Sequence, residues 1–107
     1  MGIAKYIRSL VGMSNPNAME AVLHQTRQLL ARPDNNFGWS HWNSIEEALR
    51  EFDALAEQLQ AGDKSREREL ELLFAPTGSI QEVSLSSGWG EEFLDLAARF
   101  DALIKGG

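Results

Sequence analysis

Apolar residues recur every three or four positions through three stretches of the chain, and this spacing predicts three amphipathic helices. The first of these helices has Pro16 at its first position, the second begins after Ser44, and the third follows Gly90. Ser44 and Glu47 have the spacing of a capping box, in which each side chain satisfies a backbone N–H at a helix start. The predicted buried stripes are Met19, Val22, Leu23, Thr26, Leu29 and Leu30; Ile45, Ala48, Leu49, Phe52, Leu55, Ala56 and Leu59; and Phe93, Leu96, Ala97, Phe100, Leu103 and Ile104.

Between the second and third of these helices the apolar pattern changes to near-alternation, which is typical of strands. Residues 70–74 alternate apolar and polar side chains except at Leu73, and a second run covers residues 80–86. Between them, Ala75-Pro76-Thr77-Gly78 fits a type I turn with Gly78 in the left-handed conformation. We therefore expect an α+β fold, mostly helical, with three to four helices packed on one β-hairpin.

The length of the chain, 107 residues and 11.9 kDa, is typical of one domain with a buried core. We expect a single domain over residues 1–107, in which residues 16–104 form the core and residues 1–13 form a short leading helix or arm. Residues 1–32 carry four cationic residues against one acidic residue. The leading part of the chain is therefore mildly basic, whereas the remainder is strongly acidic.

The net charge of the whole chain is -6, from 10 Lys+Arg and 16 Asp+Glu. This charge disfavours nucleic acids and anionic membranes, which bind proteins largely through cations, and suits a basic protein partner. The absence of cysteine excludes a disulfide framework and a Cys-based zinc site. No apolar run approaches the roughly 18 residues of a spanning helix, and no secretory signal is evident, so we expect a cytoplasmic protein.

Three aromatic residues occur in the otherwise polar segment of residues 32–43: Phe37, Trp39 and Trp42. The third tryptophan of the chain, Trp89, lies before the last predicted helix. Loop segments are usually hydrophilic, so this one either inserts its aromatic residues into the core or forms a contact surface. Tryptophan is frequent among the residues that dominate binding energy at interfaces. The sequence leaves both interpretations open.

Catalytic and metal-binding patterns are sparse. His41 follows Ser40 directly, but a catalytic pair is defined by geometry and not by adjacency in sequence. The adjacent acids Glu46/Glu47 and Glu91/Glu92 each fall in the first turn of a predicted helix, where acids are favoured by the helix dipole. Neighbours on a helix also point roughly 100° apart and do not converge on one ligand. We expect no catalytic residue, no metal site, no cofactor and no small-molecule substrate.

Two segments resemble small bacterial immunity proteins of polymorphic and contact-dependent toxin systems. The first is Phe-Gly-Trp-Ser-His-Trp, residues 37–42, which precedes a capped acidic helix; the second is Leu-Phe-Ala-Pro-Thr-Gly-Ser-Ile-Gln-Glu-Val-Ser-Leu-Ser-Ser-Gly-Trp, residues 73–89. The similarity is one of pattern and extends over residues 35–104. It implies a cytoplasmic protein that binds one cognate toxin domain and blocks its active site, and it carries no catalytic residues.

The leading hypothesis is therefore a non-enzymatic inhibitor of an antibacterial toxin, which contacts the toxin through aromatic and acidic side chains. The expected contact residues are Trp39, His41, Trp42, Glu46, Glu47, Asp53 and Glu57, with Glu91 and Glu92 in second place. One alternative is a regulatory or scaffold module that dimerises through the free edge of the hairpin. Another is a small enzyme that uses His41 and a nearby acid.

Overall fold

The computed structural model describes residues 16–106, and within that range every regular element is an α-helix. In chain order the helices are α1 (Pro16–Leu30), α2 (Ile45–Gln60), α3 (Glu67–Phe74), α4 (Ser79–Ser87) and α5 (Gly90–Gly106). The short leading helix or arm expected over residues 1–13 lies outside the described residues. None of the described helices combines the length and the apolar composition needed to cross a membrane.

The predicted β-hairpin is wrong, and with it the α+β fold. No strand occurs in the described residues, because residues 70–74 belong to α3 and residues 80–86 belong to α4. The buried side chains are Leu70, Leu73 and Phe74 in α3, and Ile80, Val83 and Ser84 in α4. Their spacing of three and four positions is that of one helix face. Leu73, which interrupts the strand-like alternation, is one of these buried residues.

A tight turn separates α3 from α4 at residues 75–78, where one was predicted. Its closing bond runs from the Gly78 N–H to the Ala75 carbonyl at 2.9 Å. The left-handed residue is Thr77, with φ of 67°, and not Gly78, whose φ is -76°. Gly78 is needed for a different reason, since a Cβ there would lie 2.4 Å from the Leu72 carbonyl oxygen. Only glycine allows α4 to begin this close to α3.

The start of α2 is the one predicted, with Ser44 as its N-cap. Ser44 Oγ accepts the Glu47 N–H at 3.1 Å, and Glu47 Oε1 accepts the Asn43 N–H at 2.8 Å. The returning bond therefore reaches the residue before the cap and not the cap itself. The bond to Ser44 satisfies a backbone donor that a helix start leaves without an intrahelical partner, and the bond to Glu47 ties the residue before the cap to the first turn. They also fix where the preceding loop ends.

The core lies between α1, α2, α3 and α5, and α4 covers one side of it against α3 and α5. Phe74 stacks on Phe100 with ring centroids 4.2 Å apart, and Phe52 meets Phe74 edge-on at 6.3 Å. The stripes predicted for α1, α2 and α5 face this core. Its buried apolar residues are Val22, Leu23, Leu29, Leu30, Trp42, Ala48, Phe52, Leu55, Ala56, Leu70, Leu73, Phe74, Ile80, Val83, Trp89, Phe93, Leu96 and Phe100.

Candidate functional site

The segment between α1 and α2, residues 32–43, is called the aromatic loop below, and its first part is fastened to three helices. Asn35 Nδ2 donates to the last two carbonyls of α1, those of Leu29 and Leu30, at 2.8 and 3.0 Å. Asn35 Oδ1 accepts the indole N–H of Trp89 at 2.9 Å, just before α5. The Asn36 N–H donates to Ser87 Oγ at the end of α4, at 2.8 Å.

The last part of the aromatic loop is tied to α2 and α4. Glu51 Oε1, on α2, accepts the indole N–H of Trp42 at 2.9 Å and lies 3.1 Å from His41 Nε2. His41 Nδ1 hydrogen-bonds Ser79 Oγ at the first residue of α4. Trp42 is only 1% exposed. Its indole is therefore part of the core and offers no surface to a partner, contrary to the prediction that it makes contact.

Ser79, His41 and Glu51 have the hydrogen-bond order of a nucleophile, a base and an acid. Two observations instead favour a structural tether. The Glu51 oxygen that meets His41 also holds the buried Trp42 indole, so it is committed to the core. His41 is 54% exposed in its side chain, which leaves the ring in water.

Trp39 lies in the middle of the aromatic loop and differs from Trp42 and Trp89 in its solvent exposure. Its side chain is 75% exposed, whereas the other two tryptophans are sealed in the core. The backbone beside it is shaped by local bonds, because Gly38 N–H donates to Asn36 Oδ1 at 2.8 Å and Ser40 N–H to the Phe37 carbonyl at 3.1 Å. Of the three tryptophans, Trp39 is the one that a partner can reach.

The acids predicted on α2 fall into two groups. Glu46 and Glu57 are exposed, whereas Glu47 is half-buried and is used by the N-terminal cap. Asp53 makes a bidentate ion pair with Arg27 of α1, at 2.8 and 3.0 Å. The hydrogen bond to Asp53 is the main reason that the pKa of Arg27 is raised above its usual value. Asp53 therefore holds α2 against α1 and is largely used within the fold.

Asp53 and Glu57 line an open groove between α1 and α2, with a volume of about 390 Å³. Glu91 and Glu92 are both exposed in the first turn of α5. They line a groove of about 610 Å³ between α1 and α5, and a second groove of about 550 Å³ between α4 and α5. No group of three or more histidine or acidic side chains among residues 16–106 is arranged to hold a metal ion.

The structure therefore does not bring the nine predicted contact residues into one site. Trp39 and His41 share the exposed part of the aromatic loop, Trp42 is buried beneath them, and the acids are divided among α2 and the two grooves of α5. Sequence reasoning also missed the residues that fix the loop, Asn35 and Glu51. Neither residue belongs to a motif. The hydrogen-bond partners of Asn35 lie 5 to 54 positions away in the chain, and Glu51 lies nine positions from Trp42.

Two exposed leucines were missed as candidate contact residues, Leu85 and Leu94. A sequence signal for Leu94 was present, because it lies outside the apolar stripe predicted for the last helix. Leu85 had no such signal while its segment was interpreted as a strand. On a helix that buries Ile80, Val83 and Ser84, position 85 falls outside the buried face.

Comparison of the chain with protein-family models finds no match, and comparisons with curated proteins and with solved structures find no significant match.

Proposed function

We propose that this chain is an immunity-type inhibitor, which binds one cognate antibacterial toxin domain in the cytoplasm of the producing cell and occludes its active site. It acts by stoichiometric binding and catalyses no reaction. The observation that carries the proposal is the exposed indole of Trp39, held at the surface by a loop whose two ends are fastened to the helices. The resemblance of residues 35–104 to immunity proteins supplies the class of partner.

The energetic argument rests on preorganisation. A tryptophan that enters a pocket of a partner typically contributes about 2 kcal/mol or more to binding. Part of that energy is lost when a mobile loop must be ordered on binding. Here the bonds of Asn35, Asn36 and His41 already fix the loop in the free protein. The indole can therefore enter a pocket with little further cost in loop ordering.

The charge distribution supports a basic partner surface. In the described part of the chain, Glu46, Glu57, Glu91 and Glu92 are exposed and make no salt bridge. Carboxylates without internal partners give a surface a negative potential that attracts basic proteins and speeds their encounter. Toxin domains that act on nucleic acids or nucleotides need cationic surfaces for their substrates, and such a surface fits this acidic inhibitor.

The experiment is a neutralisation assay. A candidate toxin domain, chosen as the C-terminal domain of a secreted protein whose gene adjoins that of this chain, is expressed in a sensitive host, alone and with this chain. We expect growth to be rescued by the wild type and by Leu72→Ala, which removes an exposed leucine of α3 that is not part of the aromatic loop. We expect Trp39→Ala to rescue growth poorly at equal expression. No rescue by the wild type, together with no co-purifying complex, would contradict the proposal.

A second candidate, an enzyme that uses His41, is favoured by the bonds of that ring to Ser79 and Glu51. It is separated from the first by a covalent probe. An activated serine reacts with a fluorophosphonate, and Ser79→Ala abolishes that reaction. We expect no labelling of the wild type and unchanged neutralisation by Ser79→Ala. Labelling that depends on both Ser79 and His41 would favour the enzyme.

The dimeric scaffold loses its original basis, because the hairpin whose free edge was to form the dimer does not exist in the described residues.

A further inference from the structure

The groove between α4 and α5 is walled by leucines that the core does not use. Leu85 of α4 is 65% exposed and Leu94 of α5 is 61% exposed, and both line this groove. Isolated exposed leucines are ordinary on protein surfaces, whereas exposed apolar side chains gathered at one place mark binding sites. Two of the four large apolar side chains that are exposed in the described residues meet here.

The groove is open because its turn carries little side-chain bulk. Gly88 and Gly90 both line it, at the junction where α4 ends and α5 begins. Gly88 has φ of 88° and caps α4, a left-handed conformation that side chains disfavour. A Cβ on Gly90 would lie 3.2 Å from Leu85 Cδ2 and would crowd the leucine wall. Glycine at position 90 therefore leaves Leu85 free of this crowding.

The rim of the groove is acidic. Glu91 and Glu92 line it, both are exposed, and neither makes a salt bridge to any described residue. No cationic side chain lines the groove beside them. An apolar floor with a negative rim is complementary to a segment that carries aliphatic residues on one side and Lys or Arg beside them.

We infer that the α4–α5 groove binds a basic amphipathic helix of the partner protein. Aliphatic side chains of that helix contact Leu85 and Leu94, and its Lys or Arg side chains pair with Glu91 and Glu92. A helix is the fitting element because the groove lies between two helices, where the ridges of a third can pack, and no strand edge exists in the described residues. The inference rests on the proposed function only in taking the partner to be the toxin domain.

A second copy of the chain fits the groove poorly. In a two-fold dimer the same patch occurs on both sides of the interface. Glu91 and Glu92 of one copy would then face Glu91 and Glu92 of the other, and like charges in contact oppose association. In such a dimer the leucines of the two copies could pack together, but the glutamates of the two copies would repel one another.

The test is an NMR titration of the full chain, labelled with ¹⁵N, using a synthetic amphipathic helical peptide of leucine and lysine as the probe. A peptide of the same composition, in an order that destroys the apolar stripe, is the control. We expect the helical peptide to shift the amide signals of Leu85, Gly88, Gly90 and Leu94 and to leave that of Leu72 in place. Equal binding of the scrambled peptide, or shifts centred elsewhere, would overturn the inference.

Variants define which contacts matter. The double change Leu85→Ser with Leu94→Ser should weaken peptide binding by about tenfold or more, since it removes the apolar walls. Glu91→Gln with Glu92→Gln should weaken it several-fold and reduce its dependence on salt. Leu72→Ser, a matched loss of an exposed leucine outside the groove, should change affinity by less than about twofold. An unchanged affinity in both double variants would refute the assignment.

Two further results would show that the groove binds something other than a helix of the partner protein. Self-association that the Leu85→Ser/Leu94→Ser variant abolishes would assign the groove to a second copy. Tighter peptide binding by Lys5→Glu with Arg8→Glu, in the basic leading part of the chain, would assign it to residues 1–13. Either result overturns the inference. Because the titration uses no toxin, a failed titration with intact neutralisation rejects the groove alone, and a failed neutralisation with groove binding rejects the proposed function alone.

Discussion

Asn35 carries three side-chain hydrogen bonds, and each one joins the aromatic loop to a helical part of the fold. Its amide group donates to the two final carbonyls of α1, and its oxygen accepts the indole N–H of Trp89. Trp89 is fully buried, so the indole N–H has no access to water if this acceptor is removed. A buried donor left without a partner costs about 1–3 kcal/mol.

We therefore expect Asn35→Ala to lower the free energy of unfolding by about 2–4 kcal/mol, because it removes a helix cap and orphans the indole together. Asn35→Asp keeps an oxygen for Trp89 but sets a carboxylate oxygen against the last two carbonyls of α1, at the negative end of the helix dipole, so it should also be destabilised. Urea unfolding followed by tryptophan fluorescence measures both. A loss of less than about 0.5 kcal/mol in Asn35→Ala would be typical of an ordinary surface residue and would contradict this role.

Glycine is required at positions 78 and 62 for two different reasons, a close backbone contact at Gly78 and a left-handed backbone conformation at Gly62. A Cβ on Gly78 meets the Leu72 carbonyl oxygen at 2.4 Å, whereas a Cβ on Gly62 meets nothing within 4 Å, although the φ of Gly62 is 89°. Gly62→Ala should lower the free energy of unfolding by about 1–2 kcal/mol, the cost of a left-handed side chain. Gly78→Ala should cost about 3 kcal/mol or more, because backbone atoms must move. Equal losses in thermal unfolding would show that the α3–α4 approach is not tight.

At the scale of elements, the aromatic loop and its anchors form a unit that spans α2 and α4. Glu51 holds both the buried indole of Trp42 and the exposed ring of His41. Removing the carboxylate leaves a buried donor unpaired, whereas removing the exposed ring loses only a bond that water can replace. The Glu51 carboxylate therefore contributes more to stability than the His41 ring does, although both belong to the same chain of hydrogen bonds.

We expect Glu51→Ala to lower the free energy of unfolding by about 1–3 kcal/mol, and His41→Ala to lower it by less than about 1 kcal/mol. His41→Ala should still loosen the loop, and hydrogen exchange of the amides of residues 36–42 should become faster. Urea unfolding measures the two losses of stability, and hydrogen exchange measures the loosening of the loop. A larger loss of stability in His41→Ala than in Glu51→Ala would contradict the claim that Glu51 contributes more to the stability of the loop than His41 does.

The link between α2 and α3 depends on a carboxylate. Asp63 accepts the Ser65 N–H at 3.0 Å and the Gln58 side chain at 3.1 Å, and the Ser65 N–H is the main cause of a pKa of Asp63 below its usual value of 3.8. A carboxylate with a lowered folded-state pKa stabilises the fold above the unfolded-state pKa, and that contribution is lost as the pH falls through the folded-state pKa.

Stability should therefore fall on acidification below about pH 4, and Asp63→Asn should remove part of that dependence because it has no charge to lose. Urea unfolding of the wild type and of Asp63→Asn at several pH values between about 5 and 2.5 measures the difference. We expect the two curves to converge as the pH falls. Curves that remain parallel through this range would show that Asp63 does not contribute.

The elements show what the sequence could and could not predict. The stripes of α1, α2 and α5 and the Ser44 cap were predictable, because each depends on neighbours within one or two helical turns. Residues 70–74 were ambiguous, since Leu70, Leu72 and Phe74 alternate while Leu70, Leu73 and Phe74 have helical spacing. The buried face settles the conflict for the helix, with Leu73 inside and Leu72 exposed. Short apolar runs do not distinguish the two periods.

The candidate site was harder to predict than the fold. Trp39 and Trp42 lie three residues apart in the same polar loop, yet one is exposed and the other is buried. That difference depends on Glu51, nine residues beyond Trp42, and on Ser79, 38 residues beyond His41. No local pattern carries such information, so the sequence could name the tryptophans as candidates but could not say which one reaches the surface.

At the scale of the whole molecule, the cations are mostly used inside the fold and the acids are not. Among the described residues, five Lys and Arg side chains form salt bridges with acids: Arg27, Arg66, Arg68, Arg99 and Lys105. Since the chain has 16 acids, many more carboxylates remain for solvent or a partner. The unpaired carboxylates therefore give the surface a negative electrostatic potential.

This field predicts a salt-dependent encounter with a basic toxin domain. Electrostatic attraction raises the association rate and is screened by salt, whereas the dissociation rate depends mainly on the contacts made after docking. We expect the association rate in stopped-flow fluorescence to fall by about tenfold between low and high salt, with a much smaller change in the dissociation rate. An association rate that is independent of salt would remove the role assigned to the acidic surface.

The most direct measurement is the affinity of the toxin domain for Trp39→Ala, compared with Leu72→Ala, by isothermal titration calorimetry. We expect Trp39→Ala to weaken binding by about 30-fold or more with unchanged melting temperature, and Leu72→Ala to bind within about twofold of the wild type. A Trp39→Ala variant that binds the toxin domain as tightly as the wild type would contradict the claim that the exposed indole is the centre of the interface.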